Sequence, residues 1–299
     1  MTYDDIVAVF FTPPLQPIPL PTVTTSAARR LRDAVEPIAT HGWWARQPAE
    51  RLNALGLGFF EAYVWGRAAA LGTPAASVVV STFGVFEPAF ISAVYTHAIS
   101  VAGRDEVLAA RADGASASLA ELVSAAEAVA VAEPLLEVIA QLDGMGRPLF
   151  GALRELPLPT TAQGRLWRAS ELVREHRGDG HLAACVAAGL SAPEANVLTE
   201  LWLGYSLGEY SSTRGLGGDS LALAVASLER RCWVLDSALT AAGREARIAL
   251  EDATDESQRQ LIDGLGEGIG ALITAAAQLS DRLVAAKAFP PDPRKRAAG

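Results

Sequence analysis

The sequence predicts a mainly α-helical protein of two halves, on three observations. Apolar residues recur at helical spacing along most of the chain, Gly and Pro steps divide that pattern into segments, and Ser191-Ala192-Pro193-Glu194 spells a capping box with proline in the first turn. Hydrophobic residues make up 50% of the 299, enough to bury a large core and to fill two compact domains.

Residues 1–25 form an arm: Ile6 to Phe11 is a short apolar run, and Pro13, Pro14, Pro17, Pro19 and Pro21 then impose extended, polyproline-like geometry. Such an arm docks its apolar residues on its own body or on a partner chain, as a homodimer or as a heteromer with a second protein. From Ser26 helices dominate. Ala27 to Ile38 places Leu31, Val35 and Ile38 near one face, and Pro48 to Leu71 carries Phe59, Phe60, Tyr63, Val64 and Trp65. Gly72-Thr73-Pro74 ends that region, and Val78, Val79 and Val80 make Ser77 to Phe83 β-rich on propensity. Pro88 to Ser100, Arg104 to Asp113, Ser118 to Ala140 and Arg147 to Leu153 return to the helical pattern. Leu156-Pro157-Leu158-Pro159 is a stiff break, the expected boundary between a helical domain at 26–159 and a second domain at 160–288. Arg165 to His176 and His181 to Gly189 are expected as two helices, and the capping box starts another that runs to about Leu203. Residues 289–299, with Arg294-Lys295-Arg296 behind a Pro-rich step, are expected to be a disordered tail.

A net charge of −9 argues against broad nucleic-acid affinity, which depends on Lys and Arg displacing counterions at phosphates, so DNA is not an expected partner. No apolar run reaches the roughly 20 residues that cross a bilayer. The acidic start Met1-Thr2-Tyr3-Asp4-Asp5 is unlike a signal peptide, and a cytoplasmic location away from membranes is expected. Cys185 and Cys232 lack the spacing of a disulfide framework or a zinc site. Heavy Ala use, with Lys287 and Lys295 the only lysines, fits a high-GC actinobacterial source.

The densest chemistry lies in Glu175-His176-Arg177-Gly178-Asp179-Gly180-His181. If Gly178 and Gly180 break the helix, His176, Arg177, Asp179 and His181 converge on one small volume; a plain helix junction with Asp179 as N-cap is the structural alternative. Histidine titrates near neutrality, Asp179 can fix its tautomer and Glu175 can set a second protonation state, so His176, His181, Asp179 and Glu175 are candidate acid-base groups. No spacing rule supports a metal between the histidines, and no metal or other cofactor is expected. Arg67, Arg174 and Arg177 are candidates for binding carboxylate, sulfate or phosphate through paired hydrogen bonds. Arg67 interrupts an aromatic-rich helix where an unpaired buried charge is costly, so it must pair with Glu61 or project toward the Glu175 to His181 turn. In the second case it holds an anionic ligand between the halves, with Tyr63 and Trp65 as substrate-binding walls and Trp43, Trp44 and Trp167 as further aromatics. Gly204-Tyr205-Ser206-Leu207-Gly208 matches a nucleophile elbow but lacks a preceding strand and a later histidine, and Gly266 to Ala271 imitates a dinucleotide fingerprint behind a helix instead of a strand. Both are set aside.

Leu239-Thr240-Ala241-Ala242-Gly243-Arg244 resembles the strand-to-helix signature after the wing of MarR-type winged-helix regulators, and Ser227-Leu228-Glu229-Arg230-Arg231 resembles the end of their recognition helix. Gly66-Arg67-Ala68-Ala69-Ala70-Leu71-Gly72, the Glu175 to His181 motif and Glu251-Asp252-Ala253-Thr254-Asp255 together resemble an actinobacterial helix-turn-helix family over most of residues 26–285. The resemblance implies a helical N-terminal half plus a winged-helix C-terminal half with a small β wing, and says little about activity. A recognition helix needs polar or basic side chains toward bases and phosphates, yet Asp219 to Ala226 reads Asp-Ser-Leu-Ala-Leu-Ala-Val-Ala. The wing, Val234 to Ala238, carries one acid and no base, and only Arg230, Arg231 and Arg244 remain for phosphates. A winged helix of this composition is expected to pack or dimerise.

These readings converge on a cofactor-independent enzyme or ligand-binding protein of actinobacterial specialised metabolism, such as antibiotic biosynthesis. Histidine and carboxylates deprotonate a nucleophile while arginine holds an anionic group, and ring closure with loss of a sulfate or phosphate uses this set. The alternatives are a MarR-type ligand-responsive regulator and a drug-sequestering self-resistance protein.

Overall fold

A computed structural model describes residues 3–13, 20 and 25–297, and the polyproline-like stretch expected from Pro13 to Pro21 lies almost wholly outside them. The apolar run ahead of it is a helix, α1 (Tyr3–Phe10), whose Ile6 is buried and whose Phe10 ring stands 5.5 Å from that of Trp44. The described part of the arm thus lies on its own body. Helices α2 (Ala27–Ala39), α3 (His41–Trp44), α4 (Arg46–Ala54) and α5 (Phe59–Ala68) follow. The Ser26 hydroxyl starts α2 by accepting the Arg29 amide at 3.0 Å.

Ser77 to Phe83, β-rich on propensity, is instead part of a helix, α6 (Ala76–Phe83). Propensity yields here to packing: Val79 and Phe83, one helical turn apart, join Ile91 and Tyr95 of α7 (Pro88–Val101) in one apolar cluster. Next come α8 (Arg104–Ala120), α9 (Ala125–Ile139) and α10 (Pro148–Arg154). The helix expected over Ser118 to Ala140 is therefore divided, because Ser124 and Glu127 form a capping box that opens α9.

The longest element, α11 (Ala162–Ala187), runs unbroken through Gly178 and Gly180, which corrects the two helices and the turn expected there. Helix α12 (Ala192–Trp202) begins as predicted, with the Glu194 carboxylate accepting from the Ser191 amide at 2.8 Å and hydroxyl at 2.7 Å. Then follow α13 (Gly218–Arg230), a hairpin of β1 (Val234–Leu235) and β2 (Ala238–Leu239), and α14 (Ala241–Glu256), α15 (Arg259–Leu265), α16 (Ile269–Ala285) and α17 (Pro293–Ala297). In the hairpin Val234 pairs with Leu239, and Asp236 and Ser237 both have positive φ (49° and 59°), as a two-residue primed turn requires. The protein is thus mainly α with one small β element.

One apolar core surrounds α11 and draws on both sides of Pro159, with Leu31 of α2, Leu135 of α9, Phe150 of α10, Trp167 of α11 and Leu279 of α16. A second holds α4 to α8, and a third holds α12, α13 and the hairpin. Within the described part of the expected disordered tail, 289–297, Phe289 is buried and Pro293–Ala297 is the helix α17. Arg32 donates to the Arg296 carbonyl, and Arg296 Nε donates to the Asp33 carbonyl at 2.6 Å, which ties α17 to α2. No single helix among the described residues is long and apolar enough to cross a membrane.

Candidate functional site

Two helices bury charge as well as apolar surface. On α2, Leu31, Val35 and Ile38 enter the core, while Arg29, Arg32 and Glu36 line a second face that is also buried. Charges on buried faces need partners: Arg29 finds Glu251 of α14, Glu36 finds Arg174 of α11, and Arg32 finds Asp33 on α2 itself.

Because α11 is continuous, its side chains fan out by about 100° per residue instead of converging. His176 therefore lies on the side away from Gly178. Its ring packs edge-on against Phe150 at 4.8 Å, its Nδ1 pairs with Gln258 Oε1 at 2.8 Å, and burial depresses its pKa to about 4. The expected convergence of the two histidines does not form. Trp65 is likewise a core residue, 1% exposed, with its indole N–H donated to the Ala102 carbonyl at 2.9 Å. Neither lines the cavity described next.

On the opposite side of α11 is a cavity of about 130 Å³. Arg174, Glu175, Arg177, Gly178, Asp179 and His181 border it, facing Tyr63 and Arg67 of α5, Arg247 and Glu251 of α14, and Arg32, Tyr210 and Arg214. Arg67 turns to α11 instead of Glu61: Nε and Nη2 donate to the two Glu175 oxygens at 2.9 and 2.8 Å, and Nη1 donates to the Tyr63 hydroxyl at 2.8 Å. Arg174 reaches Glu36 and Glu175, both at 3.2 Å, and lies 5.3 Å from the centre of the Trp43 ring. Two guanidinium groups and two carboxylates balance. Burial opposes ionisation of Glu175, but Arg67 and Arg174 outweigh it and hold its pKa below the ordinary value, so it remains a carboxylate.

The neighbouring cluster does not balance. Arg29, Arg177 and Arg247 all reach Glu251, and Arg177 also reaches Asp255 at 2.6 Å. Three guanidinium groups thus share two carboxylates, beside Arg32. Arg247 Nε has no hydrogen-bond partner among the described residues, although the residue is 3% exposed. Burial first, and repulsion between neighbouring guanidinium groups second, depress Arg29 to about 9 and Arg177 and Arg247 to about 10. His181 is caught in the same field. It pairs through Nδ1 with Thr254 Oγ1 at 3.0 Å, and burial together with Arg247 and Arg177 holds it near 3, neutral at physiological pH.

Asp179 behaves differently. Its Oδ2 accepts the amide of Phe150 in the first turn of α10 at 3.0 Å, so it caps a neighbouring helix and not its own. Burial nevertheless raises its pKa to about 7, against the lowering effect of that amide. Of the motif's acid-base candidates, it is the one that titrates near neutrality.

Sequence reasoning missed Arg32, Arg214, Arg247 and Glu251 as parts of this wall, and Arg29 as a partner of Glu251 behind it. One signal was present: Arg29, Arg32 and Glu36 fall at helical spacing in a helix whose other face is apolar. Arg247 and Glu251, four apart, look like an ordinary solvated pair.

No curated protein and no solved structure matches the chain. The sequence model of a helix-turn-helix family matches residues 28–290, a span that contains every cavity-bordering residue named above. With all but its two ends matched, the chain belongs to that helix-turn-helix family.

Proposed function

We propose that the chain binds an anionic small molecule in this cavity and takes a proton from it on Asp179, as a cofactor-independent enzyme of specialised metabolism. The observation that carries this reading is the excess of guanidinium over carboxylate around the hollow, which Arg177 and Arg247 border while both draw on Glu251. Like charges repel strongly in a low-dielectric interior, and a bound anion relieves that repulsion while making charge-assisted hydrogen bonds. Asp179 supports the chemical half: a carboxyl group near 7 is present in both forms at neutral pH, as a general base should be. His181 and His176 are too weakly basic at about 3 and 4 for that role and act as packing groups.

Ring closure with loss of a sulfate or phosphate fits this arrangement. An amine nitrogen attacks the carbon that bears the ester, and the C–N bond forms as the C–O bond breaks. The electron pair leaves on the ester oxygen beside Arg177 and Arg247, and the amine proton passes to Asp179. The surrounding arginines also favour the neutral, nucleophilic amine over its ammonium form.

Two variants separate binding from chemistry. Inorganic sulfate at constant ionic strength should raise the melting temperature of the wild type and of Asp179→Asn, but not of Arg247→Met. Sulfate release from short ω-amino alkyl sulfates should fall roughly 100-fold in Asp179→Asn. Binding without release leaves a sequestering protein, and no response of the wild type to sulfate or phosphate ends the anion reading.

A regulator has one observation in its favour: the order α12, α13, hairpin, α14 supports a winged helix in a helix-turn-helix family. The outer side of α13 weighs against it, with Asp219, Leu223 and Glu229 exposed there. Arg231 is engaged with the carbonyls of Ala188 and Gly189 and stacks 3.7 Å from the Trp233 ring centre, which leaves Arg230 and Arg244 for phosphates. A duplex mobility shift that weakens steeply with salt would transfer the function to DNA-binding regulation.

A further inference from the structure

A second hollow of about 90 Å³ adjoins the arginine cavity, and Tyr63, Phe86, Arg174, Tyr210 and Arg214 border both. Its chemistry is different. Phe10, Trp44, Phe59 and Phe60 face it, with neighbouring rings 5.5 to 6.3 Å apart. All four are only half-buried, whereas Trp65, Trp167 and Phe150 elsewhere in the core are almost completely covered. Four partly exposed rings thus stand together along one hollow. Exposed apolar surface forgoes about 25 cal/mol per Å², which an apolar guest recovers. The two ends of the chain make the outer wall: Lys295 of α17 places Nζ 5.0 Å from the centre of the Phe10 ring of α1.

We propose that the two hollows are one ligand site and that its ligand is a compact amphiphilic anion. A sulfate, phosphate or carboxylate head lies against Arg177 and Arg247, and an apolar body of about one ring lies among Trp44, Phe59 and Phe60. This rests on the anion-binding reading above and adds the substrate class. The shared residues carry both chemistries. Tyr63 accepts from Arg67 through its hydroxyl oxygen and sets its ring 5.7 Å from that of Phe86, and Arg174 meets two carboxylates while it lies against Trp43. They form a waist that accepts a polar atom on one side and a ring on the other. Size fixes the upper bound: a cavity of about 150 Å³ holds a benzene molecule, so the 90 Å³ chamber by itself is smaller than that, and only together with the 130 Å³ one does it admit a single ring or a short branched chain with its acid group.

Calorimetric titration with phenyl sulfate, phenyl phosphate, inorganic sulfate and inorganic phosphate at fixed ionic strength tests this. The phenyl esters should bind at least about tenfold tighter than the inorganic ions, since 1.4 kcal/mol is a factor of ten and burying one ring supplies more than that. Phe59→Ala should remove this advantage and leave the affinity for the inorganic ions unchanged, whereas Arg247→Met should weaken all four. If Phe59→Ala does not melt cooperatively, the volume-conserving Phe59→Leu replaces it and should cut the advantage severalfold. Phenyl esters that bind no tighter than the inorganic ions, or an advantage that survives a folded Phe59 variant, overturn the single-site proposal and leave the anion cavity standing. If none of the four binds the wild type, both proposals fall.

Discussion

Glu175 holds two buried guanidinium groups at once, Arg67 by two hydrogen bonds and Arg174 by an ion pair, and is itself 3% exposed. In that position it acts as a clamp between α5 and α11, because a carboxylate so firmly ionised has no proton to exchange near neutrality. Glu175→Gln keeps the shape of the side chain and removes its charge, leaving Arg67 without an acid partner and Arg174 with Glu36 alone. Removing one partner from a buried pair costs roughly 3–5 kcal/mol, so urea unfolding of the variant should show a loss in that range. A loss below about 1 kcal/mol, the value of a solvated pair, would mean that water enters the cluster and that the cavity is not the low-dielectric space the proposed anion binding requires.

At the scale of elements, α11 shows what the glycines are for. Each glycine lowers helix propensity by about 1 kcal/mol relative to alanine, which is why the sequence suggests a break there. Burial of α11 on nearly every side overrides that penalty, and space explains the residues. At Gly180 a Cβ would run into the Ser257 hydroxyl and lie 2.8 Å from Arg147 Nη1, so the glycine admits the segment that leads into α15. At Gly178 a Cβ would meet only Glu175 Oε2, at 3.7 Å, and would protrude into the cavity. Gly178→Ala should therefore stabilise the fold by up to about 1 kcal/mol while weakening sulfate binding, and Gly180→Ala should destabilise it. Thermal melts with and without sulfate distinguish the two, and equal effects would show that the space beside each glycine does not decide its role. The same contrast explains what was legible in the sequence. Capping at Ser191 is local chemistry and specifies α12 by itself. The fates of Ser77 to Phe83 and of Gly178 depend on which helices pack beside them, which spacing does not reveal. Glu175, Asp179 and His181 stood out by chemical density and Arg67 as a charge in an aromatic-rich helix, whereas Arg29 and Arg247 meet at Glu251 only because α2 and α14, far apart in the chain, flank the same stretch of α11.

Across the whole molecule, the cavity is assembled from α2, α5, α11 and α14, and its aromatic neighbour is closed by α1 and α17, so the site exists only when the chain is fully folded. That links its electrostatics to global stability. Burial holds His41, His176 and His181 neutral, at about 3, 4 and 3 against an ordinary 6.5. A base with a depressed folded pKa contributes stability that is complete above its unfolded value and is lost as pH falls toward the folded one. Asp179 acts in the opposite sense: raised to about 7 from 3.8, it favours the folded state most at low pH and loses that contribution as pH rises through 7. Near pH 5 the unfolded chain binds three protons at the histidines that the folded chain does not, and the folded chain binds one at Asp179, a net of about two taken up on unfolding. Three histidines against one aspartate set the sign, so stability should fall from pH 6.5 to 5, at a slope approaching about 2.7 kcal/mol per pH unit near pH 5. Urea midpoints at pH 7.5, 6 and 5 measure it. A midpoint that holds steady or rises on acidification would show that the imidazoles gain protons inside the folded protein, and would reinstate His181 as an acid-base group in the wall of the cavity.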